Sequence, residues 1–355
     1  MLKKLVKWSN ENYYDLPWRT RRSLYHTLVS EIMLQQTTVS TVVKHFDRFL
    51  KVYPSLQELA ASSEEEVCSH WQGLGYYRRA RNLRKAAVAL VEEHGGHFPM
   101  DEVSLKKIPG IGEYTSAALI AIGANQKALA VDANIERVVA RLFALKEEKG
   151  IKLQKRIREG FHRDEFSKLE KDIGYRELNE SLMDLGRVYC QAKKADCFIC
   201  PLKSSCQSLK QKINPLTIPI TSIEKAKKES FELELLRVVV FTRGKVLASV
   251  RQEGLWLSGQ IEIPTFIINS QDTKLKQYPK IKVKKALVSD LPSIKTAITK
   301  YKITNKILLL SRKEFQELMT EWGIQDEYKY YLFDGQKHHF STTTLKTLAK
   351  IGVTK

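Results

Sequence analysis

The sequence predicts two domains of different texture: an all-helical domain over residues 1–206 and a smaller α+β domain over 230–355. Three observations carry this. Apolar residues recur at three- and four-residue spacing from Leu24 to about Cys206, the period of a helix with one buried face. The stretch 207–229, "QSLKQKINPLTIPITSIEKAKKE", has no clear period, carries two prolines and ends in charge, as a tether does. Beyond it β-branched residues dominate and glycine punctuates short runs.

The helical segments are "SLYHTLVSEIMLQQ", "TVVKHFDRFLKVY", "SLQELAASSEEEVCSHW", "RRARNLRKAAVALVEEHG" and "SAALIAIGA", with Ser, Asp, Pro or Gly at the joins. After the tether, "FELELLRVVVFTRGKVLASVRQ" reads as two strands meeting at a turn near Arg243-Gly244. "IEIPTFIIN", "IKVKKALVS", "YKITNKILLLS" and "YKYYLFD" continue as strands, and "SRKEFQELMTEW" as a short helix. Neither an internal repeat nor a low-complexity tract interrupts the chain.

Charge narrows the function. With 59 Lys and Arg against 40 Asp and Glu, the 355-residue chain carries a formal +19. Clustered cations gain affinity for phosphate backbones by releasing condensed counterions, so a polyanion is the expected partner; a merely solvated basic surface is the alternative. No apolar run reaches membrane-spanning length, and the opening "MLKKLVKWSNENYYDLPW" lacks the apolar core of a secretion signal. The expected setting is the cytoplasm, where thiols stay reduced.

Four of the five cysteines fall in "CQAKKADCFICPLKSSC", spaced C-x6-C-x2-C-x5-C: Cys190, Cys197, Cys200 and Cys206. Two disulfides in so short a loop would be strained and out of place in a reducing compartment. A metal is the natural account. Zinc and an iron–sulfur cluster both accept four thiolates, and the single close pair with uneven spacing favours the cubane. Either would stiffen a loop bearing Lys193, Lys194, Lys203 and Lys210.

Two further stretches hold candidate chemistry. In "SLKKIPGIGEYTSAALIAIG" the turn Pro109-Gly110-Ile111-Gly112 joins two helices, and its glycines suit backbone geometry or close approach that excludes a Cβ. Free N–H groups at the following helix start suit a phosphate. In "ALAVDANIERVVARL", Asp132 stands at a helix start, where an N-cap is the plain reading. Glu31, in "LVSEIMLQQTTV", has Leu28, Val29, Ile32 and Met33 around it, so its carboxyl should be partly buried and raised in pKa.

Together, the cysteine loop, the PGIG hairpin with the following aspartate, and "SEIMLQQT" resemble the iron–sulfur glycosylases of the helix–hairpin–helix Gly-Pro-Asp superfamily, most closely the MutY family of adenine DNA glycosylases. The resemblance covers nearly the whole chain, strongly to Cys206 and moderately beyond. It implies a structural [4Fe–4S] cluster on Cys190, Cys197, Cys200 and Cys206, and phosphate contacts at Gly110 and Gly112. It makes Glu31 the acid that protonates adenine and Asp132 the charge that stabilises the sugar cation, with Asn134 beside it. Tyr114 stands where bifunctional relatives carry a lysine, so Schiff-base strand cleavage is not expected. Trp18 and Glu180 match adenine-pocket positions, Tyr76 the wedge, Gln36 the residue filling the vacated space, and Leu74 and Thr37 the contacts to the opposite base. The structural alternative for Tyr76 and Tyr77 is core packing, more natural for Tyr77.

The C-terminal domain resembles the Nudix-like module of that family, best in "GLWLSGQIEIPTF", without a complete Nudix hydrolase box. Where relatives read the oxidised guanine with Phe-Ser-His, this chain has Ile298-Thr299-Lys300, so Thr299 keeps a hydroxyl and lesion recognition is altered. The expected protein is a monomeric, nucleoid-associated repair enzyme of bacterial type. It would remove adenine mispaired with 8-oxoguanine or guanine from double-stranded DNA. Alternatives are a mismatch thymine or uracil glycosylase, and a non-catalytic iron–sulfur DNA-binding protein.

Overall fold

The computed structural model describes residues 2–166, 169, 173–221, 230–333 and 340–353. The chain divides into two compact units, Met1–Glu224 and Lys225–Lys355. In the first, helices pack around two cores. One gathers Leu28, Val29, Ile32, Phe46, Phe49, Trp71, Leu83 and Leu90, from helices Leu24–Leu34, Val39–Val52 and Arg78–His94. The other joins the N-terminal helix Leu2–Tyr13 to Ala133–Phe143, Ile151–His162 and Tyr175–Val188 through Leu5, Ile135, Val139, Ile157 and Leu182. The helix Leu2–Tyr13 lies ahead of the segment read as periodic, because only Leu2, Leu5 and Ser9 of its twelve residues are buried.

Local chemistry sets the helix ends. Ser23 accepts a bond from the His26 N–H at 3.0 Å, and Ser63 with Glu66 forms a reciprocal capping box. Each such cap is worth ~1 kcal/mol. Glu113–Ala118 widens into a π turn at Leu119–Gly123, a rare form that often marks functional regions.

The first part of the expected tether, residues 207–221, is built into this unit rather than free. Ser208 and Ile218 are buried; Ser208 Oγ donates to the Arg141 carbonyl at 2.5 Å, and Arg141 Nε donates to the Ile218 carbonyl at 2.9 Å. A stretch without period can still pack when each carbonyl finds its own donor. The remainder, 222–229, lies outside the described residues.

The second unit holds eight described strands: β1 (Phe231–Val239), β2 (Phe241–Thr242), β3 (Lys245–Val250), β4 (Ile261–Glu262), β5 (Thr265–Ser270), β6 (Ser293–Ile298), β7 (Tyr301–Leu309) and β8 (Lys329–Leu332). One sheet runs β5-β1-β7-β6, with β1 parallel to β7 and the other pairs antiparallel; the second runs β2-β3-β4, with β8 also pairing β3. Thr242 pairs with Lys245 around Arg243-Gly244, whose φ angles of 46° and 74° make the primed turn that suits strand twist.

The segment "IKVKKALVS" is not the expected strand. Ile281 donates its N–H to the Ile267 carbonyl at 3.0 Å and packs inward with Val283, after which Lys285–Val288 turns helical. Its alternation reflects single residues dipping into the core, not a ladder. Strand β6 and the C-terminal helix Thr342–Lys350 are additions to the sequence reading. Both are rich in Lys, Ser and Thr, and the helix is held by burial of Thr344, Thr347 and Leu348.

Candidate active site

Glu31 lies in the helix Leu24–Leu34, eight of whose eleven residues are buried. A helix enclosed on most sides has no solvent face to offer its carboxylate. Glu31 is therefore only 5% exposed, and burial pushes its pKa up to about 7. Among the described residues it has no ion-pair partner. The Tyr114 hydroxyl donates to Glu31 Oε2 at 2.5 Å, partly opposing the shift, while the charges of Asp132 and Glu180 add to it.

Tyr114 stands two residues beyond Gly112, in the first turn of the helix Glu113–Ala118. Burial, followed by the fields of Glu31 and Asp132, raises its own pKa well above the usual phenol value. Its hydroxyl thus bonds one carboxylate and feels the charge of both. Asp132 caps the helix Ala133–Phe143: Oδ1 accepts from the N–H groups of Asn134 at 2.9 Å and Ile135 at 2.7 Å. The Asn134 amide donates to Oδ2 at 2.7 Å, and Arg137 Nη2 donates in turn to Asn134 Oδ1 at 2.8 Å. Burial raises Asp132, and these donors pull the other way. The N-cap reading is correct, and the charge of the same carboxylate also acts on Tyr114 and Glu31. One residue does both.

Trp18 packs edge-on against Phe46 with ring centroids 5.7 Å apart, beside the same core. Glu180 is held by Arg22 through bonds of 2.7 and 3.1 Å, with Arg19 Nε 3.6 Å away. Arg19 also pairs with Asp184 at 2.9 Å, and Ser9 donates to that carboxylate at 2.6 Å. Sequence spacing offered no sign of this buried cluster, because its members lie more than 150 positions apart.

Two loops meet over the end of the Glu31 helix. Gln36 is exposed with φ of 55°, and Tyr76 is 65% exposed with φ of 49°. Thr37 Oγ1 accepts from Arg79 at 2.9 Å. Leu74 is only 5% exposed, so what it offers to its surroundings is chiefly its carbonyl, also bonded by Arg79. Tyr77 is buried in the core, the plain reading for it. Arg79 was visible in the sequence only as one of four basic residues. Its place four residues before buried Leu83 was the overlooked signal that it points inward.

In the hairpin, Gly110 has φ of 84°, and a Cβ there would lie 2.8 Å from the Asn82 Cβ, so glycine is required. Gly112 differs from expectation: its φ is −99° and nothing lies within 4 Å of the missing Cβ. No contact inside the chain demands glycine there.

The four cysteines of 190–206 are free thiols. Cys197, Cys200 and Cys206 have pKa values raised first by burial, Cys200 to about 11, and each also feels the charge of Cys190. Arg141 Nη1 donates to Cys190 Sγ at 3.3 Å, and Arg137 Nε donates to the Cys190 carbonyl at 2.6 Å. Among the described residues, no group of three or more His, Cys, Asp or Glu side chains is placed to hold a metal ion as it stands. Among them, too, no helix is long and apolar enough to cross a membrane.

In the second unit Thr299 sits at the tip of the β6–β7 hairpin with φ of 51°, and Lys300 folds over the rings of Phe231 at 4.4 Å and Tyr301 at 5.6 Å. A groove of about 850 Å³ in this unit is lined by residues such as Arg251, Leu255, Lys276 and Tyr278 and by no residue nominated from the sequence.

Residues 29–163 match the model of the HhH-GPD superfamily base excision DNA repair protein, a span that includes Glu31, the hairpin and Asp132. Within the helical unit, residues 29–163 are similar to that superfamily. An adenine DNA glycosylase of Buchnera aphidicola subsp. Baizongia pistaciae is 36% identical over 193 residues, 54% of this chain and 53% of that protein. One from Arabidopsis thaliana is 34% identical over 308 residues, 75% of this chain and 47% of the relative. The chain thus spans about half the length of these curated relatives. Among solved structures, a thermostable thymine-DNA glycosylase aligns with a TM-score of 0.50 at 26% identity, over 59% of this chain and 95% of that one. The helical unit that carries this match is followed by an α+β unit that the match does not reach.

Proposed function

We propose that this protein is a monofunctional DNA glycosylase that hydrolyses the N-glycosidic bond of adenine mispaired with 8-oxoguanine or guanine. One observation carries the reading: the buried Glu31 carboxyl accepts from the Tyr114 hydroxyl, and the half-buried Asp132 carboxylate acts on both through its charge. Their environments divide the roles. Glu31, near 7, holds a proton close to neutral pH, and because Tyr114 donates to Oε2 that proton resides on Oε1, ready for a ring nitrogen of the departing base. Asp132 keeps three N–H donors, which favour its anion, and offsets the positive charge that builds on the sugar as the bond breaks. Water then completes hydrolysis, with Glu31, now deprotonated, placed to direct it. Tyr114 brings no amine for a Schiff base, so strand cleavage does not follow.

Trp18 and Glu180 would border the extruded adenine, the Arg22 fork fixing the carboxylate. Tyr76 and Gln36 would enter the stack, Thr37 and Leu74 would lie near the opposite base, and the N–H groups around Gly110 and Gly112 would hold phosphate. The donor set of the cysteine loop, four free thiols within residues 190–206, suits a [4Fe–4S] cluster, and Arg141 donates to Cys190. When bound, the cluster would supply rigidity to a basic loop rather than bond-breaking chemistry. The second unit would be a Nudix-like lesion reader, with Thr299 exposed at a hairpin tip. The protein would act as a monomer on double-stranded DNA in the cytoplasm.

Single-turnover assays on duplexes with adenine opposite 8-oxoguanine, guanine or cytosine test the reading. Release opposite the first two alone is expected, without strand cleavage; release of thymine from a mismatch in place of adenine would overturn it. Purified protein should be brown, and a colourless zinc form would overturn the cluster.

A further inference from the structure

We infer that Arg79 is a positioning residue that sets two DNA-entering loops and the end of the Glu31 helix as one unit. The inference rests on the proposed function, since it assigns Gln36 and Tyr76 to the nucleic-acid face. Arg79 is 7% exposed and, among the described residues, has no carboxylate partner. Nη1 donates to the carbonyls of Ile32 at 3.0 Å and Met33 at 2.7 Å, and to that of Gln35. Nη2 donates to Thr37 Oγ1 at 2.9 Å and to the carbonyls of Leu74 at 2.9 Å and Gly75 at 3.2 Å. The guanidinium also stands over the rings of Trp71 at 5.6 Å and Tyr76 at 5.7 Å.

The two nitrogens divide the work. Ile32 and Met33 end the Glu31 helix, whose last carbonyls have no partner within the helix, and a cation there also suits the helix dipole. Leu74 and Gly75 precede Tyr76 on a different loop. One planar fork therefore bolts the loop carrying Gln36 to the loop carrying Tyr76. Both residues have left-handed backbones, a conformation that non-glycine residues keep only when the surroundings impose it. With the charge matched by carbonyl dipoles and ring faces rather than by an acid, the fork fixes loop geometry and leaves Tyr76 outward. The distance between intruding side chains and the position of Glu31 are then set together, before DNA arrives.

Arg79→Lys keeps the cation but cannot reach six acceptors in two directions. With 2-aminopurine in place of the target adenine, wild type should raise fluorescence as the base leaves the stack. Arg79→Lys should lose most of that rise and release adenine at least tenfold more slowly. Its melting temperature and its affinity for fully paired duplex should stay within twofold or a few degrees of wild type. Wild-type extrusion by this variant overturns the inference, as does a loss matched by equal losses in melting temperature and paired-duplex affinity. Should Arg79→Lys not fold, Thr37→Val decides: an extrusion yield about threefold lower supports the clamp, and an unchanged yield removes it. If wild type releases no adenine the activity reading falls, and the extrusion signal alone then judges Arg79.

Discussion

Both units bury glutamate, and Glu262 in the second and Glu31 in the first are treated in opposite ways. In the α+β unit Glu262 is 1% exposed and meets the equally buried Arg237, with the Tyr278 hydroxyl at 3.0 Å and Ser341 Oγ at 3.4 Å. In the helical unit Glu31 meets a tyrosine hydroxyl at 2.5 Å and no paired cation among the described residues, and burial drives its pKa up to about 7. The first carboxylate is a fastening and the second a proton store. The contrast teaches that burial alone does not make an acid; the donors and charges that meet the buried carboxylate decide.

The largest expected effect breaks the proton store. Glu31→Gln should bind mispaired duplex but release adenine ~10²–10⁴-fold more slowly, the worth of a general acid, in single-turnover assays. Its stability should move the other way. Because the folded pKa lies above the ordinary 4.5, the native state holds a proton that the unfolded chain gives up, and stability falls as pH rises from about 4.5 to about 7. That difference amounts to ~3 kcal/mol above pH 7. Glu31→Gln should therefore melt higher than wild type at pH 8, and an unchanged melting profile from pH 5 to 8 would mean that Glu31 ionises as an exposed residue does.

Breaking the fastening tests the other side. Arg237→Met should cost ~3–5 kcal/mol in denaturant unfolding by leaving Glu262 only the more distant Arg251, and adding Glu262→Leu should restore much of the loss. A loss below ~1 kcal/mol would show that Arg251, 3.9 Å from Glu262, suffices as its cation.

Asp132→Asn sharpens the comparison, since asparagine caps a helix as well as aspartate does. Melting should hardly change while base release slows ~10²-fold or more; equal melting with an unchanged rate would reduce Asp132 to a cap. The smallest effect belongs to Tyr114→Phe. Its hydrogen bond holds the Glu31 pKa down, so removing it should carry the alkaline limb of the rate profile upward by ~1 pH unit, with less than tenfold loss at the optimum. A downward shift would contradict the donor role.

Much of this was legible from local pattern. The apolar neighbours of Glu31, the capping position of Asp132 and the two-residue turn at Arg243-Gly244 each follow from a few adjacent residues, and the structure places all three accordingly. "IKVKKALVS" misled because alternation does not say whether a partner strand is present, and the Ser/Thr/Lys-rich strand β6 and final helix were passed over because their burial comes from neighbours. Arg79 was legible as a charge and not as a clamp. Its acceptors lie on two loops, one of them more than forty positions away.

The sequence alone determined the two textures of the chain, the helical packaging of the carboxylates and the grouping of four thiols, because period, capping and spacing are local properties. The tertiary structure decided which buried acid keeps its proton, which arginines turn inward and how the Gln36 and Tyr76 loops are joined. Those outcomes depend on which distant donors and charges arrive at a desolvated group, and no short window of residues contains them.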